Sequence, residues 1–445
     1  MLNFSKTIPV LFALAVLELA FSTTVFAQLT LSPSGGRELG TLVDWLLYKF
    51  VGPDDTHFRD GLAKLEAGDL NGAETAFKES LQAESNQLNA LLGLADVMNR
   101  KGQTYEAISY LKKALALAPK NAAVHRAWGR YFYSQKNFRE AETSLTKAIS
   151  LDPKTIYPRL DLGELYLTGL GNPQKAIETY RGALALDPKA VEAQYALGNA
   201  LAAVGETEQA LAELAEAARL APKNPMPYLA IGRLHAAQKR YDKALEAYAT
   251  ALARQPNFTL AFMDRGSLFV AAGQDDKAIA EYEAVLRHKP NSAEALLQIG
   301  VIHERHARVE AAEPAYLAAI KFDPKLAVAY NKLARLAAGK KAKLDDALVW
   351  SQKAVDLAPQ VLEFRGTLGW VHYVRGEYDQ TIAVLEKALA AEPFAQPSQA
   401  RIFYHLGIAY AAIGKIKDSE TALQKALALD PNFKDADDAR QRLAR

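Results

Sequence analysis

The side chains best able to bind a metal lie together at His303, Glu304 and His306, in the segment HERH. Imidazole nitrogens and carboxylate oxygens are common ligands of zinc in proteins. The HExxH arrangement of zinc-dependent hydrolases is absent from the sequence, however. His303 also occupies a position that elsewhere in the chain holds a bulky packing residue. We therefore interpret it as a packed, hydrogen-bonded histidine and predict no metal site.

Other kinds of catalytic chemistry lack the residues they need. The chain has no cysteine, which excludes thiolate catalysis, disulfides and a lipid-modified N-terminal cysteine. It contains neither the GxSxG motif of serine hydrolases nor a glycine-rich phosphate loop. The formal net charge of +2 is too small to indicate binding to nucleic acid. The sequence thus predicts a protein that is not an enzyme and has no cofactor.

A regular series of prolines sets the organisation of the chain. Successive members are 34 or 35 residues apart, except for a separation of 38 before the last. A period near 34 indicates an array of short helical units. Proline cannot continue a helix but is accommodated in its first turn, so each proline separates two units. The series consists of Pro119, Pro153, Pro188, Pro222, Pro256, Pro290, Pro324, Pro359, Pro393 and Pro431.

Other landmarks keep the same spacing inside each unit. A small residue, such as Gly198 or Gly266, recurs 24 or 25 residues before each proline, and a second glycine often follows seven residues later. The spacings of three, four and seven on both sides of that second glycine are helical. Glycine is favoured where a helix ends, because it adopts left-handed backbone without strain. Each unit is therefore predicted to be two helices joined by a tight turn, with the small residue allowing close packing.

These landmarks resemble the tetratricopeptide repeat. The resemblance covers residues 54–433, about eleven repeats, which begin near 54, 88, 122, 156, 191, 225, 259, 293, 327, 362 and 400. It implies an all-α fold, a right-handed α-solenoid whose concave groove is lined by the first helix of each pair.

Four local departures from the repeat pattern are visible. The segments 168–174 and 337–346 each make room for one extra residue in the turn between the two helices. Pro314 falls early in a second helix, where we expect it to distort the first turn. The segment 392–400 inserts four residues between the last two repeats and is the best candidate for a bend.

The two ends of the chain need separate interpretations. Residues 1–27 combine a basic start, an apolar run and the small residues Val25 and Ala27, which is typical of a cleaved secretory signal peptide. Residues 28–53 are interpreted as a linker followed by a helix that caps the first repeat. The alternatives are an uncleaved membrane anchor for the first segment, and a docking or membrane-surface helix for the second. Residues 434–445 are predicted to form a polar C-terminal capping helix.

The groove positions supply the candidate binding residues. In this family they are the second, fifth, ninth and twelfth of each repeat, and by the logic of the repeat they are not required for packing. The resemblance therefore makes the arginines, asparagines and aromatic residues at these positions the candidates for partner binding. An uncommitted, solvated surface is the alternative interpretation. The candidates are Asn99, Arg126, Arg130, Tyr133, Tyr195, Asn199, Arg233, Asn331, Arg335, Trp370, Tyr373 and Tyr404.

Arg126 and Arg130 share one face of a helix and predict the most cationic part of the groove, suited to a partner's carboxylates or chain terminus. They do not reproduce the carboxylate-clamp pattern of chaperone-binding members of the family. The asparagine ladder of the peptide-glycosylating members is also missing.

The function we predict is a non-catalytic scaffold that binds a protein or peptide in the groove. Export through a signal peptide would place it in the bacterial periplasm or outside the cell, in the assembly of an envelope or exopolysaccharide machinery. Two alternatives stay open: a polysaccharide-binding accessory protein that stacks sugars on aromatic residues, and an adaptor anchored in the inner membrane by an uncleaved N-terminus. No nucleic acid is expected as a partner, and a membrane only in the anchored form.

Overall fold

The computed structural model describes residues 56–83, 87–391 and 396–444. The predicted leader, linker and N-terminal capping helix lie outside these ranges. Throughout the described ranges the chain is helical, with short connections and no strand. The described residues divide into two compact units, one ending at Arg240 and the other beginning at Tyr241.

The first unit contains eleven α-helices, numbered in chain order. They are α1 Thr56–Glu66, α2 Leu70–Gln82, α3 Gln87–Arg100, α4 Thr104–Leu117, α5 Ala122–Ser134, α6 Phe138–Leu151, α7 Tyr157–Glu164, α8 Pro173–Leu186, α9 Val191–Ala203, α10 Thr207–Leu220 and α11 Met226–Ala237.

The second unit contains twelve α-helices. They are α12 Tyr241–Arg254, α13 Thr259–Ala271, α14 Asp275–His288, α15 Ala293–Arg305, α16 Val309–Phe322, α17 Ala327–Lys340, α18 Leu344–Leu357, α19 Leu362–Val374, α20 Tyr378–Ala390, α21 Ala400–Ala412, α22 Ile416–Leu429 and α23 Ala436–Leu443. In each unit, consecutive helices pack on one another along the chain. The predicted all-α solenoid class is confirmed.

In eight of the eleven repeats, a glycine of the first helix lies directly against a large side chain of the second helix. A Cβ atom at position 266 would lie 2.6 Å from Cε1 of Tyr282, and one at position 300 would lie 2.5 Å from Cε1 of Tyr316. Tyr282 and Tyr316 are completely buried. The predicted role of the small residue, to allow the two helices to approach closely, is confirmed. The same relationship joins Gly61 to Phe77, Gly129 to Leu145, Gly163 to Tyr180, Gly198 to Leu214, Gly369 to Leu385 and Gly407 to Leu423.

The second glycine adopts left-handed backbone where the first helix ends. Its φ is +82° at Gly205 and +70° at Gly273, a region open to glycine without strain. Three repeats place other residues there: Lys136 and Lys239 both have a φ of 59°, and Ala307 has a φ of 53°. A Cβ atom is sterically unfavourable in this region, so these three turns hold strained backbone.

The extra residue of the segment 168–174 is absorbed inside a helix. Helix α7 continues into a π-helical turn, Leu165–Gly169, in which the Leu170 N–H donates a 2.9 Å hydrogen bond to the Leu165 carbonyl. A π-turn accommodates one more residue than an α-helical turn. The other one-residue insertion instead uses left-handed backbone, because Lys341 and Lys343 both have φ of 52°.

The other two departures from the repeat pattern, Pro314 and the segment 392–400, lie in the second unit. Pro314 lies inside α16, which runs on to Phe322 as an unbroken helix. In the inserted segment 392–400, residues 392–395 lie outside the described ranges, and Pro397–Gln399 form a short 3-10 helix before α21. At the C-terminus, α23 buries Ala436 and Ala439 in a cluster with Phe433.

Candidate functional site

A pocket in the first unit brings three of the predicted binding residues together. It lies between the first helices of three successive repeats, α1, α3 and α5, and has a volume of about 140 Å³. Asn99, Arg126 and Arg130 all line it. The floor and walls are mostly apolar, formed by residues that include Phe58, Leu62, Leu65, Leu92, Ala95 and Ala127.

Arg126 is held in a fixed position by the following repeat. Its Nε donates to Asp161 Oδ2 at 2.5 Å and its Nη2 donates to Asp161 Oδ1 at 3.1 Å. The guanidinium also lies 5.3 Å from the ring centre of Tyr157. A guanidinium with two hydrogen bonds to one carboxylate has most of its charge compensated. Of the two arginines predicted to make this part of the groove cationic, Arg126 is thus already paired within the chain.

Arg130 is less completely paired. Its Nη2 lies 3.8 Å from Asp96 Oδ1, while Asp96 is already 2.9 Å from Arg100. Across the described part of the chain, no group accepts a hydrogen bond from Arg130, and 36% of its side chain is exposed. The negative charge of Asp96 raises the pKa of Arg130 above its ordinary value, which keeps the side chain cationic.

Asn99 and Tyr133 also take part in contacts between repeats. Asn99 Oδ1 accepts a 2.8 Å hydrogen bond from Ser134 Oγ, and the Tyr133 hydroxyl lies 2.7 Å from Thr168 Oγ1. Burial raises the pKa of the Tyr133 hydroxyl. The other three candidates of the first unit, Tyr195, Asn199 and Arg233, are half-buried on α9 and α11.

The polar candidates of the second unit are part of a buried network. Asn331 is 1% exposed and its Nδ2 donates to Glu363 Oε1 at 3.2 Å. Arg335 pairs with Glu304, which also accepts a 2.7 Å hydrogen bond from the Tyr316 hydroxyl. Burial alone would raise the pKa of Glu304, but Lys332 and Arg335 nearby lower it. The network thus holds an ionised carboxylate.

The side chains of the HERH segment contact different partners and do not form one site. Glu304 belongs to the network just described, whereas His306 Nε2 lies 2.8 Å from Asp275 Oδ2. His303 is half-buried on α15. Within the ranges that the structure describes, no group of three metal-binding side chains is found.

The aromatic candidates gather at the end of the second unit. The Trp370 ring stacks on His405, with centroids 4.6 Å apart, and on Tyr373, with centroids 5.4 Å apart. Tyr404 is only 8% exposed, and its hydroxyl donates to Asp438 of α23 at 2.7 Å. Its ring also packs on Phe433. Trp370 and Tyr373 therefore stay partly accessible, while Tyr404 is a packing residue beneath the C-terminal helix.

The prediction that packing does not need the groove residues is wrong for at least four of them. Arg126, Asn331, Arg335 and Tyr404 each bond to a residue of a neighbouring repeat or of the C-terminal helix. The partners that sequence reasoning missed are all acidic and lie 31 to 35 positions away. A search of the sequence for an acidic residue about one repeat length away from each candidate would have identified these partners. They are Asp161, Glu363, Glu304 and Asp438.

The comparison with protein families agrees with the helix pairs. Family models described as tetratricopeptide repeat match residues 64–130, 126–191, 160–225, 195–257, 229–293, 263–327 and 367–432. The chain belongs to the tetratricopeptide repeat family. Since these matches cover more than half of the sequence, they account for both described units.

Several curated proteins are similar to part of this tetratricopeptide repeat chain. Cellulose synthase operon protein C of Xanthomonas axonopodis pv. citri is 31% identical over 145 residues, which is 31% of this chain and 9% of that protein. Its counterpart from Komagataeibacter xylinus is 43% identical over 65 residues, 15% of this chain and 5% of that protein. The type IV pilus assembly protein PilF of Pseudomonas aeruginosa is 29% identical over 104 residues, 23% and 40% of the two chains. The chain thus spans only a small part of the first two relatives.

Solved structures of repeat proteins are similar at a lower level. MamA is 27% identical over 37% of this chain and 96% of its own, with a TM-score of 0.33. Human IFIT1 is 17% identical over 90% of this chain and 96% of its own, with a TM-score of 0.46. Since both scores are below 0.5, the fold assignment rests on the helix pairs and the family models. None of the helices in the described ranges has the length and hydrophobicity to span a membrane.

Proposed function

We propose that the chain is a non-catalytic scaffold that binds a protein or peptide partner on the face formed by its first helices. The pocket between α1, α3 and α5 is the observation that carries this proposal. It combines apolar walls with a few polar groups, Asn99, Arg126 and Arg130, which is the usual composition of a binding site.

A photo-crosslinking experiment tests the proposal. A photoreactive amino acid replaces Asn89, which lines the pocket, or Lys147, which is exposed on the second helix α6. We expect the pocket position, in the native host, to crosslink to one discrete polypeptide that mass spectrometry identifies. Purified partner should then bind the wild-type chain directly. If both positions give the same products, or the pocket position gives none, the proposed binding face is wrong.

We further propose that the scaffold serves an exopolysaccharide or envelope machinery of a bacterium. The support is the similarity to cellulose synthase operon protein C, reinforced by the weaker similarity to a pilus assembly protein. Deletion of the gene in its host should reduce exopolysaccharide at the cell surface, measured as bound dye per cell. Normal exopolysaccharide and normal surface structures in the deletion strain would contradict this assignment.

Export to the periplasm belongs to the same proposal. Its support is the basic start, apolar run and small residues of the segment 1–27. N-terminal sequencing of the native protein should give Gln28 as the first residue, in the periplasmic fraction. An intact N-terminus in the inner-membrane fraction would favour the anchored adaptor instead. An intact N-terminus in the cytoplasmic fraction would contradict both.

Polysaccharide binding is a second candidate, favoured by one observation. Trp370 and Tyr373 are half-buried aromatic rings stacked nearly parallel, at an interplanar angle of 15°. The parts of these two rings that remain exposed suit the apolar faces of sugar rings. Retention of the chain on cellulose in high salt, lost in Trp370→Ala but not in Lys147→Ala, would support it. Equal retention of both variants would exclude this pair of rings as the sugar-binding site.

A further inference from the structure

The pocket between α1, α3 and α5 has the shape and polarity to select one kind of peptide. We propose that it binds a segment of a partner polypeptide in which a large apolar side chain stands next to a single side-chain carboxylate. This inference rests on the proposed function and adds the chemistry of the ligand. Four features of the pocket support it: its volume, the Arg130 donors that have no hydrogen-bond acceptor, the acidic residues near them, and the amide side chains that line the pocket.

The volume fits one large side chain. A cavity of about 150 Å³ lined by leucine, isoleucine and phenylalanine is large enough to take a benzene ring. The pocket here measures about 140 Å³, and its walls include the buried side chains of Phe58, Leu62 and Leu65. A leucine, isoleucine or phenylalanine side chain entering from solvent would therefore exchange water for apolar walls, which is the main favourable term in such binding.

Arg130 supplies the anion-binding donors. A guanidinium has five N–H donors, and none of those of Arg130 has a hydrogen-bond acceptor among the described residues. Its nearest acid, Asp96, is 3.8 Å away and lies closer to Arg100. A ligand that buried these N–H groups without offering an acceptor would lose binding free energy. A carboxylate can instead accept two hydrogen bonds from the guanidinium in a planar arrangement.

The other acids of the pocket limit the ligand to one carboxylate. Glu66 and Asp96 both line the pocket, so a run of acidic residues would meet repulsion there. Asp161 and Glu164 also lie near enough to act on the charge of Arg130. A single ligand carboxylate adds one negative charge to this group, whereas a polyanion would add several like charges. The charge pattern therefore predicts an isolated acidic residue rather than an acidic tract.

The amide side chains favour a polypeptide over a small molecule. Asn89 and Asn99 both line the pocket. Asn99 uses its Oδ1 to accept from Ser134, which leaves its N–H₂ group as a donor. The amide side chain of Asn89 has no hydrogen-bond partner within the described ranges, so it can both donate and accept. A peptide backbone offers the carbonyl and N–H groups that match these two amides on either side of the anchored side chain.

Selection from a random library tests the proposal on the full chain. Phage displaying random 12-residue peptides are selected on the wild-type protein, and binders that also bind Ala127→Leu are discarded. Ala127 lines the pocket, so the larger side chain should fill it. A thermal unfolding curve close to wild type shows that this variant is folded. We expect the retained peptides to share leucine, isoleucine or phenylalanine beside one aspartate or glutamate.

Dissociation constants of the best peptide then test each contact. Replacing its acidic residue by the matching amide should weaken binding about tenfold or more, because a charge-assisted hydrogen bond is lost. Arg130→Gln should weaken binding of the acidic peptide by a similar factor but change binding of the amide peptide less than about twofold. Replacing the large apolar residue by alanine should also cost about tenfold or more. The outer-surface control Lys147→Ala should leave all of these constants unchanged.

Other outcomes would overturn the inference in distinguishable ways. If no peptide, and no partner in the crosslinking experiment, binds this face, the proposed function itself fails. If retained peptides lack the acid, or if Arg130→Gln affects acidic and amide peptides equally, the function stands and the carboxylate is wrong. A synthetic peptide of residues 37–50 of this chain is tested as a competitor of the selected peptides. If its inhibition constant is lower than their dissociation constants, the occupant is the chain's own N-terminal segment rather than a partner.

Discussion

Arg126 and Asp161 stand 35 positions apart in the sequence and form a two-point ion pair between α5 and α7. The relationship joins two successive repeats through their first helices. Both side chains are largely buried, at 16% exposure each, so the pair is better protected from solvent than an ordinary surface salt bridge. Arg126, a candidate for partner binding from its position in the repeat, is therefore part of the interface between repeats.

Removal of one partner of this pair should destabilise the fold locally. Asp161→Asn leaves Arg126 without its counter-charge, and we expect the free energy of unfolding to fall by about 1–3 kcal/mol. Hydrogen exchange should accelerate in α5 and α7 and stay unchanged in α21 and α22, since a linear array transmits damage mainly to its neighbours. The exposed control Lys147→Ala should leave both measurements at wild-type values. Uniform acceleration along the chain would contradict a solenoid with local interfaces.

The close approach of helices at Gly266 gives a second prediction. Gly266→Ala places a Cβ atom 2.6 Å from the Tyr282 ring, so the helix pair must separate or the ring must move. Overpacking of this kind costs about 1–3 kcal/mol. Gly339, also in a helix, has nothing within 4 Å of its would-be Cβ, and Gly339→Ala should stabilise the protein by about 0.5–1 kcal/mol. Denaturant midpoints of the two variants should move in opposite directions; movement in the same direction would refute the packing role of Gly266.

The left-handed turn at Ala307 predicts a stabilising substitution. Since its φ is 53°, Ala307→Gly removes the steric cost of the Cβ atom and should raise the free energy of unfolding by about 0.5–1 kcal/mol. The matched control is Ala311→Gly, an exposed position inside α16, which should lower it by about 1 kcal/mol. A loss of stability in Ala307→Gly would show that the turn is not strained.

His405 predicts how stability depends on pH. Burial lowers the pKa of its imidazole to about 3, from an ordinary value of about 6.5. The folded state therefore binds fewer protons than the unfolded state between these values, and stability is lost as pH falls from about 6.5 toward 3. The expected contribution is about 1.4 kcal/mol per pH unit.

His405→Phe should remove this contribution and keep a ring against Trp370. Chemical denaturation at a series of pH values between 7 and 4 measures it, as a difference in slope between wild type and variant. His288→Phe is the control, because His288 is exposed and the substitution keeps a ring against Phe262. Parallel slopes for wild type and His405→Phe would show that the imidazole titrates normally in the folded protein.

Much of the fold could be predicted from sequence because the repeat spacing is itself a physical signal. The positions of Gly266 and Tyr282 could be read from their recurrence in register, and the helix pairs follow from it. The contacts of individual polar residues could not be predicted in the same way. Arg126 differs from its equivalents in other repeats, such as Tyr195 and Asn331, so periodicity alone does not associate it with Asp161.

The candidate site shows the same limit in more detail. The family positions indicated Asn99 and Arg130, and both line the pocket. They also indicated Tyr404, which is covered by α23 because Asp438 and Phe433 bind it. Whether a candidate residue is accessible depends on whether the next helix along the chain packs over it. That information is in the three-dimensional packing and not in the repeat pattern.

The π-turn at Leu165–Gly169 has a consequence for how this gene can change over generations. A single added codon would normally rotate every later residue of a helix by about 100° and misalign its contacts. Here the surplus residue is taken up within one turn, and Tyr133 still reaches Thr168 across the boundary. Lineages can therefore gain or lose one codon at this point while the repeats on both sides continue to evolve as separate units.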